Sequence, residues 1–570
     1  MRWPWFHVLS LGLTVTSPSN AVLLAPEADE YPGQHVISDH SQISPREHGC
    51  ERTITPLFQV EEALRVMQEE YFEIWIGAWP TAIDWTAAVV NTIVTSTLTT
   101  FSGYLHDIWR TGNLDQPEIP RIEDQINLYF AHNSAFYFAE NAFNIRNEAY
   151  DDMLWVVLGW LESVKFLNEY SEQRKVRLGS GCAWHGSQYI AAFSHRARVF
   201  YDLASKGWDT KLCGGGMTWN PHLIPYKNAI TNQLFISASI GMYLHFPGDD
   251  NRFPYMTDRA EASSLYTARP HDKRYLDAAI DGYQWLKQSN MTNELGLYVD
   301  GFHITDWSRK NTTGTGKCDQ RNEMVFTYNQ GVILSGLRGL WEATGQARYL
   351  EDGHQQVRNV MNATGWRGIG DVTIMARDTR WQGLGRSGIL EDYCDHKGEC
   401  SQDSQTFKGI FFDHLIQFCR PLKQRFAGHD LASLHRQSCL AYGKWAEHNA
   451  RGAMRNRDSK GRFGSFWGDL VADVDPVELP VGAVDYRNDK TILKSDAWSE
   501  PSISLNSSTF MQLEGEGQIV NSARSSRHDI DPGGRIFDSN GINDRGRGRT
   551  VETQASGLSV LRAAWELNRL

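Results

Sequence analysis

Four stretches of this chain are apolar on every side at helical spacing: MLWVVLGWL (153–161), AITNQLFISASIGMYL (229–244), GVILSGLRGLW (331–341) and FKGIFFDHLIQF (407–418). A helix without a polar face has to be covered all round, whereas a helix at a domain surface keeps one polar stripe, as Asp281–Lys287 and Tyr349–Asn359 do. Periodicity predicts helices over Val60–Trp79, Ala82–Trp109, Ile122–Asn144, Asp151–Glu169, Ser187–Lys206, Asn228–Phe246, Arg274–Ser289, Asn329–Thr344, Gln346–Asn362, Gln405–Phe418, Leu431–Ala450 and Glu552–Leu567, and strand alternation is scarce. Alternation of fully covered and half-exposed helices is what an inner ring walled by an outer ring requires. The expected fold is therefore all-α, an (α/α)6-type toroid. A superhelical stack of helix pairs is the competing architecture, but no fixed-length repeat is visible.

Around this helical body the chain changes character. Met1–Ala21 has one basic residue, Arg2, an apolar run from Trp5 to Val15, and small residues up to Ala21. It reads as a secretory signal, with an N-terminal anchor as the alternative. Val22–Pro56 is polar and aperiodic, an N-terminal arm, and residues 57–570 are expected to form a single catalytic domain. Within it Ser459–Arg549 is rich in Gly, Asp, Arg and Ser and reads as a long loop insertion before the last helix. The last helix carries Arg562, Glu566 and Arg569, so it lacks the apolar tail of a glycolipid-anchor signal; a secreted, extracellular or cell-wall protein with no membrane anchor is expected. Eight cysteines make up to four disulfides in an oxidising compartment, and none sits in a CxxC pair, which disfavours a zinc site. Sequons at Asn290, Asn311, Asn362 and Asn506 suit glycosylation.

Charge narrows the ligand. With 56 Lys plus Arg against 68 Asp plus Glu, the net charge of −12 repels a phosphate backbone, so no nucleic acid partner is expected. A neutral ligand fits better, and 20 Trp with 21 Tyr offer flat faces for sugar rings as well as core filling. No cofactor and no metal are called for, and a monomer is expected.

Three covered helices open on similar clusters: Tyr150-Asp151-Asp152, Pro225-Tyr226-Lys227-Asn228 and Thr327-Tyr328-Asn329-Gln330. If inner helices run the same way, these ends meet at one rim as a polar, aromatic-lined cleft. Each cluster also has an ordinary reading, because Asp and Asn cap helix N-termini and Tyr fills cores. Capping needs only one Asp, however. A second carboxyl beside Trp155 and its apolar neighbours tends to a raised pKa, the condition of a general acid. Glycosidic cleavage needs two carboxyls, about 5 Å apart for retention and about 6.5–9.5 Å for inversion, and adjacent residues reach the shorter distance more easily. Gly214–Gly216 before Trp219 would let backbone approach a ligand or simply turn, and Asp300 before Gly301 could hold hydroxyls or make a turn.

In order along the chain, YDDMLWVVLGWL, CGGGMTWN (213–220), YKNAITNQLF (226–235), GLYVDG (296–301), TYNQGVILSGLRGLWEATG (327–345) and FKGIFF (407–412) resemble glycoside hydrolase family 76, the α-1,6-mannanase family. The resemblance implies an (α/α) toroid and retaining endo-cleavage of α-1,6-mannan, with Asp151 as nucleophile and Asp152 as acid/base. It also implies that Trp219, Asn220, Lys227, Asn228, Asp300, Tyr328, Asn329 and Gln330 line the cleft and bind an α-mannan or mannose-containing glycan. Transglycosylation of cell-wall mannan or a glycolipid-anchor glycan is the alternative within the same chemistry, and a non-catalytic mannan-binding wall protein the alternative outside it.

Overall fold

The computed structural model describes residues 56–112, 116–178, 184–251, 268–368, 379–422, 424–469, 477–488 and 541–570. The expected signal, nearly all of the N-terminal arm and much of the expected insertion fall outside the described residues. Among them are twelve helices of thirteen or more residues: α1 (Leu57–Tyr71), α2 (Asp84–Thr111), α3 (Glu118–Ala139), α4 (Tyr150–Leu178), α5 (Ile190–Ala204), α6 (Ala229–His245), α7 (Lys273–Gln288), α8 (Tyr328–Thr344), α9 (Arg348–Ala363), α10 (Phe407–Cys419), α11 (Gln424–Arg455) and α12 (Val551–Leu567).

Their packing closes a circle. Helix α2 packs on α4, α4 on α6, α6 on α8, α8 on α10, α10 on α12, and α12 returns to α2. Outside this ring α3 lies on α2, α5 on α4, α7 on α6, α9 on α8, and both α1 and α11 on α12. The fold is thus an (α/α)6 toroid, and the even-numbered helices are the apolar ones. In α6 every residue from Ala229 to Ile240 is buried, and in α12 every residue from Val551 to Ala564. Outer helices such as α7 and α9 bury one face only, around Tyr275, Ala279, Tyr283 and Leu286 or Tyr349, Gly353, Val357 and Val360.

Small residues let the inner helices approach closely. A Cβ on Gly331 of α8 would lie 2.5 Å from the Phe411 Cα of α10, and one on Gly409 of α10 would lie 2.7 Å from the Ser556 Cα of α12. Either methyl would force the helices apart. Helix ends follow local chemistry: Asn228 caps α6 by accepting from the Thr231 N–H, Thr550 and Thr553 form a reciprocal capping box on α12, and left-handed Gly112 and Gly345 stop α2 and α8.

Two expectations change. The first helix ends at Tyr71 and not Trp79: residues 72–83 form a loop closed by a Glu73–Ala78 bridge, which turns Trp79 into the core. The region 459–549 is also more than a loop added to the outside. Phe463, Phe466 and Trp467 are buried core residues, the Asn543 side chain holds the Phe466 backbone at both its N–H and its carbonyl, and the 477–488 segment reaches the ring's mouth. Low apolar content hid a few large aromatics that do the packing.

A short antiparallel sheet borders that mouth, with Lys227–Asn228 paired to Gly301–His303 and the latter to Gln320–Asn322. Three disulfides occur among the described residues, Cys213–Cys318, Cys394–Cys400 and Cys419–Cys439. Cys50 and Cys182 lie outside them. No helix among the described residues is long and apolar enough to cross a membrane. Asn290, Asn311 and Asn362 are exposed.

Candidate active site

The inner helices all begin at one rim. Trp85, in the first turn of α2, stacks on Trp155 of α4 at 5.8 Å and donates to Asp403, just before α10, at 2.9 Å. Thr86 of α2 donates to Glu552 in the first turn of α12 at 2.7 Å. Asn329 of α8 donates to Asp300 at 3.5 Å, and the Asp300 carbonyl accepts from the first N–H of α6 at 2.8 Å.

Within this rim the two aspartates do different things. Asp152 Oδ2 accepts from the Ala149 N–H at 3.0 Å, an N-terminal capping bond, and the residue is half-buried. Asp151 is buried. Its Oδ1 accepts from the Asp152 N–H at 3.2 Å and its Oδ2 from Trp219 Nε1 at 3.1 Å, with Arg487 Nη2 4.0 Å away. The loop bearing Trp219 is held by its own backbone, since the Tyr150 N–H donates to the Trp219 carbonyl and the Trp219 N–H to the Tyr226 carbonyl, both at 2.8 Å. The Arg487 guanidinium lies 5.5 Å from the Trp219 ring and donates to the Tyr328 hydroxyl at 3.4 Å, while Tyr328 stacks on Phe407 at 3.9 Å.

Electrostatics separates the pair. Burial pushes Asp151 up to about 6, opposed by Arg487, the two backbone amides and Trp219. Asp152 is pushed well above the usual carboxylate range by burial, by the Asp151 charge and by Glu148. Glu148 rises to about 7 through burial and the charges of Asp84 and Asp151. Opposite unit charges 4 Å apart attract by about 4 kcal/mol at an effective dielectric of about 20, enough to decide which carboxyl ionises first. Both shifts run upward, and Arg487 beside Asp151 favours the charge there and the proton on Asp152.

A second group lies beside the first. Tyr226 donates to Asp300 Oδ2 at 2.7 Å, and Asn322 approaches both the Tyr226 hydroxyl and Asp300. Asn329 sits next to Tyr328 and has its buried Oδ1 without a hydrogen-bond partner. Asp151, Asp152, Trp219 and Tyr328 therefore come together, and Asp300, Asn329 and the helix cap Asn228 adjoin them. The other expected cleft residues are committed elsewhere. Lys227 is fully buried and donates to the Gly216 and Asp209 carbonyls at 2.6 and 3.2 Å. Gln330 is fully buried, donating to the Tyr298 and Phe326 carbonyls and accepting from the Tyr298 N–H and Gln356. Asn220 accepts from the His222 N–H.

Sequence reasoning passed over Glu148 and Arg487. Glu148 stands three residues before Asp151, within one turn, and could have been found by reading back from the pair. Arg487 comes from 336 positions beyond Asp151, and no local pattern marks it. Two groups with metal-ligand spacing occur among the described residues, His354–His435–Cys439 and Cys394–Asp395–Cys400. Each relies on cysteine sulfur already joined in a disulfide, and neither includes a residue of the acid pair.

The family model of glycosyl hydrolase family 76 matches residues 260–468. That match takes in 209 of the 570 residues, and over it the chain resembles the family. The matched residues carry α7 to α11, and the acid pair precedes them. Among curated relatives, this chain is 24% identical over 222 residues to the mannan endo-1,6-alpha-mannosidase DCW1 of Saccharomyces cerevisiae and 26% identical over 222 residues to the mannan endo-1,6-alpha-mannosidase DFG5 of the same yeast. The alignments cover 38% and 37% of this chain, and the chain spans little more than a third of the relatives it matches, 37% and 36%. Among solved structures, an inactive variant of the α-1,6-mannanase GH76A of Salegentibacter sp. HEL1_6, in complex with α-1,6-mannotetrose, is 17% identical with a TM-score of 0.49, covering 90% of this chain and 98% of that one.

Proposed function

We propose that the protein is a retaining endo-α-1,6-mannosidase in which Asp151 is the nucleophile and Asp152 the acid/base. The observation that carries this reading is the unequal setting of two adjacent carboxyls at an aromatic-walled rim, Asp151 buried against Trp219 and beside Arg487, and Asp152 accepting from the Ala149 N–H. In the first displacement Asp152 protonates the glycosidic oxygen while Asp151 attacks the anomeric carbon. The leaving glycan departs with the proton, and a mannosyl ester forms on Asp151. In the second, Asp152, now a carboxylate, takes a proton from water, which opens the ester and restores both groups. The names of the two yeast relatives supply the α-1,6-mannan substrate. Trp219 and Tyr328 offer ring faces, and Asp300 and Asn329 offer hydrogen bonds to hydroxyls. The three disulfides support export to an oxidising compartment.

The test is linear α-1,6-mannan with anomer-resolved NMR of early products. Shorter oligomers that appear first as the α-anomer are expected. First products of the β-anomer would overturn retention. Longer oligomers as the sole products would assign the second step to a sugar hydroxyl and make the protein a transglycosylase, and binding without turnover would leave a mannan-binding protein.

A further inference from the structure

The segment 477–488 lies beyond the residues matched by the family model and is clipped across the rim at both ends. On one side the Val484 N–H donates to Asn322 Oδ1 at 2.8 Å, Asn322 Nδ2 donates to the Val484 carbonyl at 3.0 Å, and the Glu323 N–H donates to the Gly482 carbonyl at 3.2 Å. On the other, Asn488 Oδ1 accepts from the Ser401 N–H at 2.8 Å, just ahead of α10. Between these clips Asp485 accepts from the Arg487 and Asn488 N–H groups at 3.1 and 3.0 Å, a tight turn that leaves the Arg487 side chain directed inward. Its guanidinium reaches Asp151, Trp219 and Tyr328 together.

We propose that Arg487 is a positioning residue for the acid pair, its charge holding the negative charge on Asp151 so that the proton stays on Asp152. This rests on the double-displacement reading. Among the described residues, the groups around Asp151 leave Arg487 as its cationic neighbour. Asp152 and Glu148 lie beside it in sequence, Trp219 comes from the neighbouring loop, and Tyr328 and Asp300 belong to α8 and the sheet. Asp403 and Asp300 act on Arg487 in turn. Three carboxyls converge on one helix start, where the dipole favours negative charge but cannot choose between adjacent side chains. A guanidinium 4.0 Å from one of them makes that choice through its charge, while Trp219 and the Asp152 N–H hold the carboxylate's orientation.

The measurement is the pH profile of kcat/KM on α-1,6-mannotetraose, with a thermal melt of each variant as a fold control. For Arg487→Gln the acidic limb is expected to move up by about one pH unit and kcat to fall about 10- to 100-fold, while Arg487→Lys returns the limb to its wild-type position with part of the rate. An unshifted limb in folded Arg487→Gln would overturn the proposal. Should Arg487→Gln not fold, Arg487→Lys carries the test, and an upward-shifted limb there would overturn it. An inactive wild type would sink the mannosidase reading instead. The arginine is then read without turnover, by carbon-13 titration of the Asp151 carboxyl assigned with Asp151→Asn. A higher titration point in Arg487→Gln supports the assignment, and an unchanged one refutes it.

Discussion

Helix α4 carries buried carboxyls at two levels of the ring, and they end in opposite states. At its N-terminus burial drives Asp151 and Asp152 upward, whereas eleven residues on, about 16 Å along the axis, Glu162 is held down at about 2. Burial acts upward on Glu162 too, but Lys165 at 3.0 Å and Arg420 at 3.7 Å outweigh it. That deeper level lines a cavity of about 210 Å³ whose wall includes Lys165, Arg338 and Arg420 facing Glu162, Glu169 and Glu342, with His245 and His414 kept neutral chiefly by burial. This deeper hollow is thus lined by balanced charge. At the rim carboxyls outnumber cations, and the shortage pushes them toward the protonated form. Desolvation is common to both levels; the supply of partner charges decides which level is poised to move protons.

The sharpest way to break this contrast is to neutralise one acid at each level. Asp151→Asn or Asp152→Asn is expected to lower kcat on α-1,6-mannan by 10³-fold or more, and Glu162→Gln to change it by less than about threefold; comparable losses at both levels would end the distinction. Stability should reverse the order. Glu162→Gln takes from Lys165 its partner and from Arg420 one of its two, Glu169 remaining, and is expected to cost about 3 kcal/mol in urea unfolding at pH 7.

Asp151→Asn, by contrast, should stabilise the protein at pH 7 by about 2 kcal/mol. Because the folded pKa near 6 exceeds the unfolded value of 3.8, the stabilising contribution of Asp151 is complete below 3.8 and is lost as pH rises through 6, so the advantage of Asn vanishes in acid. Glu162 has the opposite slope, its contribution being present above 4.5 and lost as pH falls through about 2. Melts at pH 3.5, 5 and 7 would show the two trends diverging. The smallest effect is expected for Glu148→Gln: with that charge gone Asp152 releases its proton more readily, and the basic limb of kcat/KM should move down by about half a pH unit.

The ring was legible in the sequence because its cause is local. Every residue from Ala229 to Ile240 needs a partner, and only surrounding helices supply enough of them. Residues 72–79 misled because IWIGAW places tryptophans at helical spacing inside what is a bridged loop, and periodicity cannot distinguish the two. At the site, Tyr328 and Asp300 were legible because they flank elements whose positions follow from the pattern. Lys227 and Gln330 share those motifs but face the wall, since neighbouring positions on a strand or helix point in different directions. Arg487 was illegible for another reason: its role exists only through contacts with Asn322 and Ser401, made by a segment whose composition announces a loop.

The Cys213–Cys318 bridge joins two positions 105 residues apart and closes on the loop that carries Gly214–Gly216 and Trp219. Cross-linking a span of that length removes about 4–5 kcal/mol of disorder from the unfolded chain. The benefit is concentrated on the wall of the catalytic rim, because the inner helices already confine one another by close packing. A thiol reductant should therefore disarm the protein well before it melts it, with Trp219 fluorescence and protease cleavage near residue 214 changing while the helical signal persists. Environmental redox state would then act as a licence for activity, granted where the rim is clamped and withdrawn where it is loosened.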